Sequence, residues 1–205
     1  MCAMLRIRCE EEREYREVES LTREAFWNVY RPGCSEHLVL HRLRKAAAFV
    51  PELDCVAEAD GRIVGHIAYA RMFRAGDACA DVVGFGPISV LPEWQRRGVG
   101  ALLIDETLKR ARELGFRAVL ITGNPAYYGR FGFVPASRFG VHLAGVSPEE
   151  EAPFFMAKEL EPGALTQRAG VYAFDAAYEV TEAELAAFDA GFPAKVKREP
   201  RPDDL

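Results

Sequence analysis

The chain has 205 residues, of which 49% are hydrophobic and 28% charged, with a net charge of −5. That length and apolar content fit one good-sized domain with a tail and exclude a wholly disordered chain, while the acidic balance gives the molecule no basic field for nucleic acid or anionic lipid. The longest run without a charged residue, Ala118–Gly129, falls far short of the roughly 20 apolar residues of a membrane span, and Arg6, Arg8 and Glu10-Glu11-Glu12 leave no apolar core for a signal peptide.

Leu5–Cys9 alternates apolar and basic residues and predicts a first strand. From Glu11 the period becomes helical, with Tyr15, Val18, Leu21 and Ala25 on one face, until Arg31-Pro32-Gly33-Cys34 breaks it. Ser35 caps a second predicted helix with an apolar face of Leu40, Leu43 and Ala47, ended by Pro51. Two strands, about Cys55–Ala59 and Ile63–Ala70, flank Asp60-Gly61, a pair that tolerates the positive φ angles of a tight hairpin. Asp81–Leu91 reads as a strand distorted by Gly84, Gly86 and Pro87. Gly98–Leu114 is an amphipathic helix stopped by Gly115, and Arg117–Thr122 is a buried strand, so residues 81–122 form a strand–helix–strand unit. Short strands follow near Phe133, Val141, Phe154–Leu160 and Gly170–Phe174. Thr181-Glu182-Ala183-Glu184 is a capping box opening a last helix to Ala190, expected to cover a sheet edge, and Pro193–Leu205 is expected to be a mobile tail. Residues 1–160 are read as the domain and 161–192 as an extension packed on it.

Five cysteines (Cys2, Cys9, Cys34, Cys55, Cys79) are scattered, odd in number and never in a Cys-x-x-Cys pair. That pattern predicts free thiols in a reducing cytoplasm and no zinc site. His37 and His41 stand one helical turn apart but lack the intervening Glu and a third ligand, so no metal is expected.

The chemistry concentrates between Ile88 and Phe133. A strand ending Ser89-Val90-Leu91-Pro92 runs through Gln95-Arg96-Arg97-Gly98-Val99-Gly100 into a helix. The unpaired N–H groups and positive dipole of a first helical turn, two glycines without Cβ atoms and two arginines suit a pyrophosphate. Equally, the fragment by itself is a tight strand–helix turn with surface arginines; neither a dinucleotide fingerprint nor a Walker loop fits. The second strand of the unit ends in Gly123-Asn124-Pro125-Ala126-Tyr127-Tyr128-Gly129-Arg130-Phe131-Gly132-Phe133.

Gln95-x-x-Gly98-x-Gly100, together with Tyr128 four residues before Gly132-Phe133, resembles the GNAT superfamily of N-acetyltransferases, and Pro125–Phe133 is similar to one bacterial subgroup of it. The likeness covers about residues 5–160. It implies an α/β (α+β) GNAT fold, a mixed twisted sheet flanked by helices in which the strands Asp81–Leu91 and Arg117–Thr122 splay apart to admit acetyl-CoA as co-substrate. Backbone groups of Ile88, Ser89 and Val90 would pair with the pantetheine, Arg96, Arg97, Gly98, Val99, Gly100 and Ala101 would hold the pyrophosphate, Gln95 would join the coenzyme site, and Asn124 would contact the coenzyme arm. A primary amine, small or on a peptide, would attack the thioester directly. The Val90 N–H would stabilise the oxyanion, and Tyr128 would protonate the leaving thiolate and touch the coenzyme; otherwise Tyr128 is a core aromatic with a satisfied hydroxyl. The resemblance leaves a homodimer open and points to neither nucleic acid nor membrane.

An amine with a pKa near 10.4 needs a base, since freeing it at pH 7 costs about 4.6 kcal/mol. The resemblance implies a carboxylate or histidine on the strand before the coenzyme loop, facing the same way as Ile88 and Val90; by strict alternation those positions are Gly84 and Gly86, which carry no base. His66, Asp81, Glu24, Glu36 and His37 are the remaining candidates. Phe26–His37, with Trp27, Tyr30, Glu36 and His37, reads either as an acceptor site or as an aromatic helix–helix corner, and Cys34 has no neighbour in sequence that would lower its pKa. The rival to an amine acetyltransferase is a catalytically weak acyl-CoA-binding or regulatory protein on the same scaffold. A more distant rival is an interaction module whose glycine turn is only structural.

Overall fold

The computed structural model describes residues 4–201 except 76, 148 and 167, so Cys2 and the tail residues Pro202–Leu205 lie outside the described residues. Its strands are β1 (Leu5–Cys9), β2 (Cys55–Ala59), β3 (Arg62–Arg74), β4 (Asp77–Val90), β5 (Ala118–Thr122), β6 (Val134–Pro135), β7 (Val141–Leu143), β8 (Phe155–Glu159) and β9 (Gly170–Ala173). Its helices are α1 (Tyr15–Phe26), α2 (Glu36–Leu43), α3 (Val99–Glu113), α4 (Pro125–Tyr128) and α5 (Glu182–Asp189). One mixed sheet runs β1-β2-β3-β4-β5-β8-β6, and β9 joins it on β3 with β7 on its other side. Only β4–β5 and β7–β9 pair parallel among the described strands. This is the expected mixed, helix-flanked architecture.

Local chemistry sets most of these elements. Asp60 and Gly61 take φ of 49° and 79°, closing β2–β3 in a two-residue turn whose twist matches the strands. α1 buries Val18 and Leu21, and α3 buries Leu103, Ile104, Leu108 and Ala111. The helices take opposite faces: Thr22 of α1 meets Ser89 of β4 (Oγ1···Oγ 3.0 Å), while Thr107 of α3 meets the Tyr69 hydroxyl of β3 at 2.9 Å.

Several expectations shift. α2 stops at Leu43, leaving Ala47 exposed and Ala48 buried in its place, and the capping hydrogen bond expected of the Ser35 side chain is not made. β3 and β4 run on to Arg74 and back to Asp77, longer than the apolar pattern shows. α5 has its capping box on Thr181 and Glu184, but where a sheet edge is expected it packs on the α1–α2 corner, with Phe188 against His37 and His41. Arg23 grips Asp189 at 2.6 Å, and Arg31 pairs with Glu182. Where a mobile tail is expected, Lys195–Arg198 is docked on the end of α1. Trp27 Nε1 and Asn28 Nδ2 donate to the Val196 carbonyl at 3.0 and 3.1 Å, and Lys195 pairs with Glu24 at 2.6 Å.

Candidate active site

Parallel pairing of β4 with β5 covers only Val82↔Ala118, Val83↔Val119 and Gly84↔Leu120. Beyond Gly84 the two strands part while β4 continues on β3 through Ile67↔Ile88, His66↔Ser89 and Gly65↔Val90. The Leu91 N–H donates to the Val64 carbonyl at 3.0 Å on the β3 side. Strand alternation therefore turns the backbone groups of Val90 and Ile88 to the opposite edge, the one β5 has left. Gln95 Nε2 reaches the Val90 carbonyl at 3.2 Å, so the Val90 N–H is the group offered to the gap. Ser89, by the same alternation, directs its backbone to β3 and its hydroxyl to Thr22, so it is not placed to pair with a ligand strand.

The gap opens into a cavity of about 820 Å³ whose wall includes Ile88, Ser89, Val90, Gln95, Gly100, Asn124, Tyr128, Tyr30 and Glu36. Gln95 and Gly100 bracket Arg96, Arg97, Gly98 and Val99, which lie outside that wall with Ala101. Arg96 (φ 59°) and Gly98 (φ 83°) take left-handed backbone to turn the chain into α3. No side chain caps this end, so the first-turn N–H groups remain available to an anion. A Cβ on Gly98 would meet nothing within 4 Å, whereas one on Gly100 would come within 3.0 Å of the Tyr127 hydroxyl.

Across the gap, Asn124 caps α4 through Oδ1, which accepts the Ala126 N–H at 2.9 Å. Tyr128 follows on that one-turn helix, its ring against Phe85 and Phe133. Burial, then the neighbouring Tyr127 and Tyr30 hydroxyls, raise the Tyr128 pKa, so its phenol keeps its proton. Gly123 is a site residue that motif reading passed over: a Cβ there would lie 2.2 Å from Tyr128 Cε2. The signal was a glycine directly between strand and cap.

The register of β4 on β3 changes which side chains share the face of Ile88 and Val90. Tyr69 pairs with Phe85 and Ile67 with Ile88, so Gly86 and Pro87 form a bulge opposite Ala68. Tyr69 and Ile67 share a face, hence Phe85, not Gly84 or Gly86, shares the face of Ile88 and Val90. Among the other candidates, His66 is buried in a network with Asp54 (2.6 Å) and Glu10 (3.6 Å), whose carboxylate also takes both Arg44 contacts at 2.7 Å. Asp81 is held by Arg168, and Glu24 by Lys195. Only Glu36 lines the cavity, where burial raises its carboxyl pKa; its Oε2 accepts the Ser35 N–H at 2.8 Å.

Trp27 and His37 are not on the cavity wall. Trp27 is covered by Arg23, 4.1 Å above its ring, and by the Val196 carbonyl. His37 is fully buried against Phe188 and Phe192, its Nε2 3.1 Å from Asp189 but out of line for a hydrogen bond. Cys34 Sγ lies 3.5 Å from His37 Nδ1, so Cys34, His37 and Asp189 mimic a nucleophilic triad. Burial lifts the thiol to about 12 and drops the imidazole to about 4, the reverse of activation. In place of Trp27 and His37, the extension supplies Phe174 and Tyr178, the latter donating from its hydroxyl to the Gly86 carbonyl at 2.6 Å.

Comparison with known proteins bears on this site. The acetyltransferase (GNAT) family model matches residues 8–133. The uncharacterized N-acetyltransferase YjhQ of Escherichia coli K12 is 32% identical over 118 residues, 57% of this chain and 65% of that protein. YhbS of the same strain is 30% identical over 117 residues, again 57% and 65%. The chain thus spans just under two thirds of the length of these curated relatives. The crystal structure of YhbS from Escherichia coli in complex with CoA superposes with a TM-score of 0.76 at 25% identity, covering 87% of this chain and 93% of that one. A GNAT family acetyltransferase from Brucella melitensis in complex with acetyl-CoA gives 0.70 at 30% identity, covering 86% and 99%.

Proposed function

The chain belongs to the acetyltransferase (GNAT) family, and from that premise we propose that it transfers an acetyl group from acetyl-CoA to a primary amine. The observation that carries the reading is the parting of β4 from β5 after Gly84, which leaves the Ile88 and Val90 backbone on a cavity ending at Tyr128. The uncapped, Cβ-poor start of α3 beside that edge fits a pyrophosphate, and the two relatives of known structure hold CoA and acetyl-CoA. Bound there, acetyl-CoA supplies an acyl thioester open to direct attack by an amine.

The chain's own groups then have defined tasks. Ile88 and Val90 hold the coenzyme arm as a neighbouring strand would, with Asn124 on its far side. The Val90 N–H is fixed in advance against the charge that develops on the acyl oxygen, a donor whose loss typically costs about 3–4 kcal/mol. Glu36 takes the proton from the ammonium nitrogen, freeing the lone pair that forms the C–N bond as the C–S bond breaks. Tyr128 gives its hydroxyl proton to the departing sulfur and regains one from the new amide nitrogen. Four free cysteines among the described residues accord with a cytoplasmic setting.

The test measures acetyl-CoA binding by thermal shift, then thiol release with a panel of amines for the parent and Tyr128→Phe. Binding with turnover that collapses in the variant supports the reading. Binding without turnover of any amine favours a regulatory acyl-CoA binder, and no binding overturns both.

A further inference from the structure

The acceptor half of the cavity lies between the α1–α2 corner and the C-terminal extension. Phe26, Val29, Val39, Phe174 and Tyr178 wall it, and among the described residues Glu36 is the one carboxylate on its surface. No lysine, arginine or histidine is among the described residues that line it. Arg31, whose charge reaches Glu36, is held by Glu182.

Resting on the acetyltransferase reading, we infer that the acceptor is a monocationic primary amine on an apolar body without a carboxylate, and that Glu36 receives its ammonium. Glu36 is thus the single ionisable carboxylate among the described residues of a half-open wall that is otherwise mostly apolar. One carboxylate balances one ammonium, and a second charge brought against the apolar wall loses hydration there without gaining a partner. An amino acid would bring a carboxylate that finds no cation on the wall. A polyamine would bring further ammonium groups that find no second carboxylate. The aromatic and branched side chains offer apolar contact instead to an aryl or alkyl group, and Phe174 and Tyr178, their rings tilted by 51° with centroids 5.1 Å apart, form part of that wall. Burial also holds the Glu36 carboxyl above its ordinary range, bringing its affinity for a proton nearer to that of the amine it faces.

2-Phenylethylamine, phenylalanine and spermidine separate the alternatives, because the first two differ only by a carboxylate. Thiol release by the full chain with acetyl-CoA is expected to show kcat/KM for 2-phenylethylamine at least about 100-fold above the other two. Calorimetry of 2-phenylethylamine on the CoA-loaded protein is expected to show roughly 10–100-fold weaker binding to Glu36→Gln, as for a lost hydrogen bond to a charged group. The acetyl-CoA thermal shift of that variant, expected unchanged, shows that it is folded. Equal or better turnover of phenylalanine, spermidine or a short peptide with a free N-terminus overturns the inference, as does unaltered binding by Glu36→Gln. Failure of the parent to bind acetyl-CoA overturns the acetyltransferase reading instead, and 2-phenylethylamine binding that depends on Glu36 would still be measurable on the unloaded protein.

Discussion

The ring of Tyr128 rests directly on the backbone of Gly123: a Cβ there would lie 2.2 Å from Cε2 and 2.7 Å from Cδ2. No side chain fits at Gly123 without moving the phenol away from the gap between β4 and β5. Gly123→Ala is therefore expected to reduce kcat by about 10²-fold or more, approaching the loss of a positioned general acid. Overpacking is expected to cost the fold about 1–3 kcal/mol. Steady-state kinetics beside thermal unfolding checks this; an alanine variant with parental kcat would show that the position of Tyr128 is immaterial.

Burial raises the Tyr128 pKa above that of a free phenol, which fixes the sign of one pH effect. The hydroxyl stays protonated through the neutral and mildly alkaline range, so it does not switch off there as an acid. Tyr128→Phe is expected to lower kcat by roughly 10²–10⁴-fold while the alkaline side of the kcat profile keeps its shape. An alkaline limb below pH ~9 that disappears in the variant would assign a lowered tyrosine pKa and contradict the burial.

The legible parts of this molecule were those decided within a few residues. Asp60-Gly61, the apolar face of α3, Gly115 and the Thr181–Glu184 box each carry their conformation in local chemistry, and Tyr128 sits in a motif contiguous in the chain. What escaped depends on distant partners. The bulge at Gly86-Pro87 is defined by the register of β4 on β3, so strict alternation put Gly84 and Gly86 where Phe85 stands. Trp27 and His37 look like ligand groups in isolation, but Val196, Phe188 and Phe192 claim them from more than 150 residues away. The extension that carries Phe188 and Phe192 also delivers Phe174 and Tyr178 to the cavity, and nothing near them in sequence announces a site.

His37 makes a separable contribution to acid stability. Desolvation lowers its pKa to about 4, because the nearby Asp189 charge is already taken by Arg23. The fold thus prefers the neutral ring: this stabilisation is complete above the unfolded pKa near 6.5 and is lost as pH falls from there towards 4. His66 has the opposite sign. Burial alone would depress it, but Asp54 and Glu10 hold it raised, so its contribution is present below pH ~6.5 and fades as pH rises through its folded value. His37→Leu should accordingly remove up to about 3 kcal/mol of the stability difference between pH 7 and pH 4. Urea unfolding at both pH values measures it; parallel pH dependences in parent and variant would assign the acid loss elsewhere.

The start of α3 offers the sharpest test of coenzyme binding, since helix stability and anion binding respond oppositely to acidic residues there. A carboxylate in a first turn favours the helix dipole, but it repels a pyrophosphate seated on the same N–H groups. Gly98, at φ 83°, would resist any side chain by roughly 1 kcal/mol of backbone strain. Gly100 lies inside α3, where replacing glycine regains a similar amount of propensity, although its Cβ must be accommodated 3.0 Å from the Tyr127 hydroxyl. The Gly98→Asp, Gly100→Asp double variant should therefore unfold near the parental temperature. At 100 times its Kd a ligand adds about 2.7 kcal/mol, roughly 5–11 °C for a domain of this size. Acetyl-CoA is expected to produce that shift in the parent and none in the double variant. Equal shifts in both would place the coenzyme somewhere other than the head of α3.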